Sequence, residues 1–267
     1  METPLTIHRT LPCLLLLMLF AGLVGCGPSR SELKAIDDRA TYRYNLGYGH
    51  YMDATTVNVD AALQEVLAAL RIKEDYPEAH LLAGIIYLGR GLHLNAIRHF
   101  KRAVEIKPDF FMAKNNLGAA YLAAERWEEA VGIFNELVGN ILYASPGHGH
   151  NNLGWAYYNM GKPDQARRHY FMAIQLAPEL CPPYNNLGLL LLEQSRLDRS
   201  AKYLKRAIKR CPSYAEPNFH LGRLAMRRGD TGSARARFRR CLELSGDTPL
   251  AERCEERLKA LTTGGFR

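Results

Sequence analysis

Residues 151–178 read NNLGWAYYNMGKPDQARRHYFMAIQLAP, and this stretch decides the fold. Leu153-Gly154 stand near its start, with Tyr157 three residues after the Gly. Ala166, Tyr170, Ala173 and Pro178 follow at twelve, sixteen, nineteen and twenty-four residues after it. Gly161 ends a first helix as a left-handed cap, and Pro163 with Asp164 opens a second. Pro178 lacks an N–H and stops that second helix.

Working outward, the pattern recurs along the chain. The first unit, 40–76, carries Leu46-Gly47, Ala62 and Ala69, with about three extra residues around Thr55–Val59 in its turn. The second, 77–110, keeps Gly84, Tyr87, Ala96, Phe100, Ala103 and Pro108 in register. The third, 111–146, keeps Leu117-Gly118, Tyr121, Ala130 and Phe134, then loses the Pro and gives way to NILYASPGHGH. Units 147–180, 181–214 and 215–248 complete the series, with Ser200 where Ala is usual. This pattern resembles the tetratricopeptide repeat, a helix-turn-helix of about 34 residues. In that repeat the residues equivalent to Gly154 and Ala166 are small because two helices cross there, while Tyr157, Tyr170 and Ala173 fill the seam between hairpins. The resemblance implies an all-α fold, a right-handed α-solenoid of six repeats. The remaining 249–267 supplies a capping helix, Leu250–Leu261, over the last apolar seam, and a tail. Six repeats in register leave almost no room for another domain.

At 47% hydrophobic residues, general disorder is excluded; the formal charge of +8 permits an acidic partner or an anionic surface. Residues 1–25 have the form of a cleaved signal: His8 and Arg9 precede an apolar run, Leu11 to Val24, too short to span a bilayer as a mature helix. It ends in Leu23-Val24-Gly25-Cys26, which resembles the lipobox of bacterial lipoproteins. That resemblance implies acylation of Cys26. Gly27 stands where lipoproteins retained at the inner membrane carry Asp, so the expected location is the outer membrane, lipid-anchored and facing the periplasm. Residues 26–39 read as the lipidated Cys and an extended polar tether.

Four further Cys permit three disulfide pairings. Cys181 opens the first helix of repeat five and Cys211 closes the second; in an antiparallel hairpin those ends are neighbours. Cys241 lies on the second helix of repeat six, toward the next helix, and Cys254 on the cap. The expected bonds are therefore Cys181–Cys211 and Cys241–Cys254.

Signatures of catalysis are missing: there is no GxSxG, Walker loop, HExxH or CxxC. The pair His148 and His150, in a Gly-rich stretch, reads as solvated loop residues and not as a metal site. The expectation is a protein without enzymatic activity, metal or cofactor.

What remains is a groove. In tetratricopeptide superhelices the first helix of each repeat lines the concave face. Its sixth position holds Asn45, Asn116, Asn152 and Asn186, whose amides can pair with the main chain of an extended peptide. Tyr44, Tyr48, Tyr51, Ile85, Leu88, Leu122 and Trp155 add large apolar groups, together with Leu81, Tyr158, Leu189 and Leu192. The favoured contacts are Tyr44, Tyr48, Ile85, Leu88 and Leu122 of repeats one to three. Lys114 stands alone, without the cationic clamp of chaperone-type repeats. Repeats five and six carry a run of Lys and Arg on outer faces, suited to solvent, an acidic partner or anionic lipid.

Together these features resemble the type IV pilus pilotins, outer-membrane lipoproteins that assist assembly of the pilus secretin, and especially their six-repeat form. Leu142-Tyr143 with Pro146, then NNLGWAYYNMG from Asn151 to Gly161, and the four Cys carry the resemblance. It implies a protein that binds secretin subunits and promotes their localisation and oligomerisation, with no nucleic-acid partner. The alternative is a general periplasmic scaffold, for example for peptidoglycan enzymes.

Overall fold

Thirteen helices and no strand follow one another in the computed structural model, which describes residues 28–53 and 58–262. The expected signal segment, Cys26 and most of the Thr55–Val59 insertion lie outside those residues. The helices pair as antiparallel hairpins: α1 (Arg30–Met52) with α2 (Val59–Ile72), α3 (Pro77–Gly89) with α4 (His93–Ile106), and α5 (Phe111–Ala123) with α6 (Trp127–Gly139). Next come α7 (Pro146–Asn159) with α8 (Pro163–Leu176), α9 (Pro182–Glu193) with α10 (Leu197–Arg210), and α11 (Glu216–Arg227) with α12 (Thr231–Ser245). Helix α13 (Pro249–Thr262) packs on α12.

Each hairpin closes on a glycine. A Cβ at Gly84, Gly118, Gly154 or Gly222 would stand 2.5–2.6 Å from the ring of Phe100, Phe134, Tyr170 or Phe238. Those four rings are fully buried, each contributing about 2–3 kcal/mol of hydrophobic stabilisation. Ser200 is explained at the same crossing, because its hydroxyl donates to the Gly188 carbonyl at 2.7 Å. The turn that follows needs a left-handed residue, filled by Gly91, Gly161 and Gly229 at φ of 71°, 68° and 74°. Glu125 and Ser195 adopt the same conformation without being glycine.

Stacking is one-sided. Every second helix packs on the first helix of the next hairpin, and α3, α5, α7 and α9 each also touch the first helix of the next hairpin directly. The outer helices α4, α6, α8, α10 and α12 are not packed on one another in that way, so they splay and leave clefts on the convex side. Between α6 and α7 the longer linker is folded in: Tyr143 is buried, and its hydroxyl donates to Asn115 Oδ1 at 3.1 Å.

Two regions depart from the sequence reading. Residues 30–39, expected as an extended tether, are the first turns of α1. The cause is local: Ser29 Oγ accepts from Glu32 N at 3.3 Å while Glu32 Oε2 accepts from Ser29 N at 2.7 Å, a reciprocal cap that starts the helix at Arg30. Asp37 then pairs with Lys73 at the end of α2. His150, expected in a solvated loop, is a buried residue of α7, since Pro146 starts that helix four residues before it.

The structure joins Cys181 to Cys211 and Cys241 to Cys254, with Cα atoms 6.3 and 6.2 Å apart. The first bond ties the two open ends of the α9–α10 hairpin. The second ties the cap α13 to α12, over a cluster formed by Phe219, Ala234 and Phe238 with Leu250, Leu258 and Leu261 against it.

Candidate partner-binding groove and open seam

Because successive first helices touch and the second helices splay, the concave wall is made of α3, α5, α7, α9 and α11. It holds a cavity of about 470 Å³ running over repeats four to six and the cap, lined by Trp155, Tyr158, Asn185, Asn186, Glu193, Arg223 and Arg253 among others. Trp155 and Tyr158 stack with centroids 5.3 Å apart. The Tyr158 hydroxyl donates to Glu193 Oε2 at 2.6 Å, and burial, then that carboxylate, pushes its pKa well above the ordinary tyrosine value. Burial also lowers the pKa of the Arg223 guanidinium, which has no ion-pair partner among the described residues. His220, buried beside it, is held neutral down to a pKa of about 3, by burial first and then by Arg223 and Arg253.

The asparagines are partly engaged with one another. Asn186 Nδ2 donates to Asn151 Oδ1 at 3.1 Å; Asn185 donates to Asn186, and Asn151 to Asn152, each at 3.3 Å. This chain links α7 to α9 and leaves the Asn185 Oδ1 atom buried without a partner. Asn116 instead donates to the Met112 carbonyl of its own helix at 2.8 Å, and Asn45 is exposed. The four expected amides therefore do not form one continuous row offered to a ligand.

The apolar positions divide likewise. Leu81, Leu189 and Leu192 are buried in the stack, and Ile85, Leu88 and Leu122 are half-buried against the core of repeats two to four. Tyr51 packs on the core of the first two repeats. Tyr44 stacks on Tyr48 at 6.1 Å and leans on Tyr76 at 5.1 Å; Tyr48 is exposed. Lys114 is committed to an ion pair with Glu136. Arg223 and Arg253 occupy the groove instead, and no local signal pointed to them because Arg253 arrives from the cap.

Exposure is concentrated at the first repeat. The third position of each unit is buried at Ala79, Ala113, Gly149, Pro183 and Pro217, yet Tyr42, in the same slot of repeat one, is 65% exposed. The seventh position is buried at Ala83, Leu117, Leu153, Leu187 and Leu221, whereas Leu46 is 36% exposed. Those slots meet the preceding hairpin, and among the described residues repeat one has none before it. The C-terminal edge is covered by α13; the N-terminal edge is an open apolar seam. Leu33 and Met52 are exposed on the same helix.

Among the described residues no group of three or more metal-ligating side chains comes together, and no helix is long and apolar enough to cross a membrane.

Comparison with known proteins agrees with this architecture. Tetratricopeptide repeat families match residues 149–180 in one form and residues 56–109, 81–148 and 185–249 in another. The type IV pilus assembly protein PilF of Pseudomonas aeruginosa is 24% identical over 173 residues, covering 62% of this chain and 67% of that protein. The crystal structure of PilW, a widely conserved type IV pilus biogenesis factor, superposes with a TM-score of 0.68 at 18% identity, covering 80% of this chain and 97% of that one. The structure of Pseudomonas aeruginosa PilF gives 0.64 at 19% identity, covering 83% and 99%. At these identities the structural likeness speaks for the fold.

Proposed function

The chain belongs to the tetratricopeptide repeat family, whose scaffolds mediate protein–protein interaction, and on that premise we propose that it is a non-enzymatic lipoprotein serving type IV pilus assembly. Anchored through Cys26 in the outer membrane and facing the periplasm, it binds secretin subunits and promotes their localisation and oligomerisation. The likeness to PilF and PilW supports the pilus role. The observation that carries the partner-binding part is the open seam at Tyr42 and Leu46, opposite a closed C-terminal end.

Physically, the seam shields an apolar segment of a subunit that would otherwise aggregate. The first helix begins four residues after Cys26, so the lipid holds this edge close to the bilayer and raises the local concentration of captured subunits. Release follows when the segment finds its neighbours in the ring.

The test is an immunoblot for heat-resistant secretin multimers in outer membranes of cells carrying Tyr42→Asp with Leu46→Asp. Multimers should vanish while secretin monomer remains, and an unchanged level of the lipoprotein on the same blot shows that the variant folds. Multimers that persist even when the gene is deleted would reassign the protein to another envelope scaffold, such as an adaptor for peptidoglycan enzymes.

A further inference from the structure

The convex clefts between splayed outer helices differ in charge. The cleft between α8 and α10, about 450 Å³, is rimmed by Arg167, Arg196, Arg199 and Lys202 and lined by no carboxylate. Arg167 pairs with Asp164 at 2.8 Å, while the other three have no ion-pair partner among the described residues. The only acid of α10, Asp198, is taken by Arg228 at 2.5 Å. Lys205, Arg206 and Lys209 continue the cationic surface along α10. By contrast, in the cleft between α4 and α6, Arg102 is bridged to Asp75 at 2.5 Å and to Glu105 at 3.3 Å, and Arg126 bonds Glu129 at 2.8 Å. That outer face also holds Arg98 and Lys101 without an ion-pair partner among the described residues, but sets three carboxylates among its cations. The other keeps like charges at helical spacing, which repel unless an external anion compensates them.

The same cleft is apolar beneath its rim. Its floor is Leu187 and Leu191, and Phe171, 40% exposed, meets Tyr203 edge-on at 6.0 Å. Met172 and Leu176 are the other exposed apolar groups of α8. Cations surrounding exposed apolar side chains match a membrane interface, where phosphates lie over hydrocarbon; an acidic protein segment would use the charges alone.

We infer that the convex face of repeats four and five, centred on the cleft between α8 and α10, docks on an anionic phospholipid surface, with Arg196, Arg199 and Lys202 on headgroup phosphates and Phe171 at the hydrocarbon boundary. This contact is independent of which protein the seam receives.

The test uses residues 28–267, which contain every described helix and all four core clusters, after circular dichroism has shown the piece to be helical and to melt cooperatively. Its co-sedimentation is measured with phosphatidylcholine vesicles with and without phosphatidylglycerol. Binding should require phosphatidylglycerol and weaken steeply with salt. Arg199→Gln with Lys202→Gln should weaken it about 25-fold, each charge contributing about fivefold, while Arg98→Gln with Lys101→Gln on the other cleft leaves it unchanged. Equal binding to both vesicles, or an affinity of the unmodified chain that ignores salt, overturns the inference without reference to any variant. Displacement of the vesicles by a polyglutamate peptide at matched charge assigns the cleft to an acidic protein partner and overturns it as well.

Discussion

His99 donates a hydrogen bond from its Nδ1 to Nδ1 of His80, 2.9 Å away across the α3–α4 hairpin. The direction follows from the far side of His80: its Nε2 lies 3.0 Å from the Glu74 carbonyl, which can only accept, so the proton of the neutral ring is there and Nδ1 is the acceptor. Two repeats later His150 and His169 face each other in the same way at 3.1 Å. In both hairpins a tyrosine, Tyr87 or Tyr157, stacks on the second histidine with centroids 5.3 Å apart.

Protonating either pair replaces a hydrogen bond with two facing donors. Burial, then the partner ring and a neighbouring arginine, lowers the pKa of His99 and of His169 to about 4; burial lowers those of His80 and His150 too. Arg98, Arg102, Glu74 and Asp75 act on the first pair and Arg168 on the second. The folded pKa lies below the unfolded value of about 6.5, so between these values the unfolded chain takes up protons that the folded chain refuses. Stability is therefore full above pH about 6.5 and falls as pH drops toward about 4, by on the order of 1 kcal/mol per pair. Melting temperatures across this range for the unmodified chain and for His99→Gln with His169→Gln check it: the variant should start lower and lose less on acidification. Parallel curves would contradict the assignment.

Two glycines of the third hairpin should respond to alanine with opposite signs. A methyl at Gly118 would stand 2.5 Å from the Phe134 ring, and Gly118→Ala should destabilise by about 1–3 kcal/mol in urea unfolding. At Gly132, inside α6, an added Cβ meets nothing within 4 Å, and Gly132→Ala should stabilise by about 0.5–1 kcal/mol.

Glu125 and Ser195 hold the left-handed turn position at φ of 57° and 58°, where repeats two, four and six use glycine. Both side chains are exposed and neither donates or accepts a side-chain hydrogen bond that would be lost. Glu125→Gly and Ser195→Gly should each raise stability, by up to about 1 kcal/mol after the greater freedom of glycine in the unfolded chain is subtracted. A lower midpoint in denaturant would show that the turn carries no strain.

Cys241→Ser with Cys254→Ser should cost about 3 kcal/mol, the loop-closure value for a short loop. The loss should be local. Hydrogen exchange should rise over 249–262 first, because α13 is the last helix of the stack and packs mainly on α12, while repeats two to four keep their protection. Uniform loss of protection along the chain would mean that the cap holds the whole solenoid together.

The helical hairpins were legible in the sequence because their determinants are local: a small residue opposite a bulky one sixteen positions later, a left-handed turn, a Pro at a helix start, all repeated at a nearly constant period. The cap and both Cys pairings were legible for the same reason, since antiparallel helices of known length fix which ends meet. Three features were decided only by tertiary structure. Tyr42 and Leu46 occupy slots that are core in every other repeat, and their exposure follows from having no preceding hairpin among the described residues, which no window of sequence around them shows. His80 and His99, or His150 and His169, stand nineteen residues apart on separate helices, and become a pair only when the hairpin closes. Arg223 and Arg253 meet at the groove because the cap folds back over repeat six, just as Arg196, Arg199 and Lys202 acquire their cleft only because the outer helices splay. Periodicity specifies which face of a helix is apolar; which of those faces remains uncovered is settled by stacking, where burial depends on what lies beyond the chain's own turn.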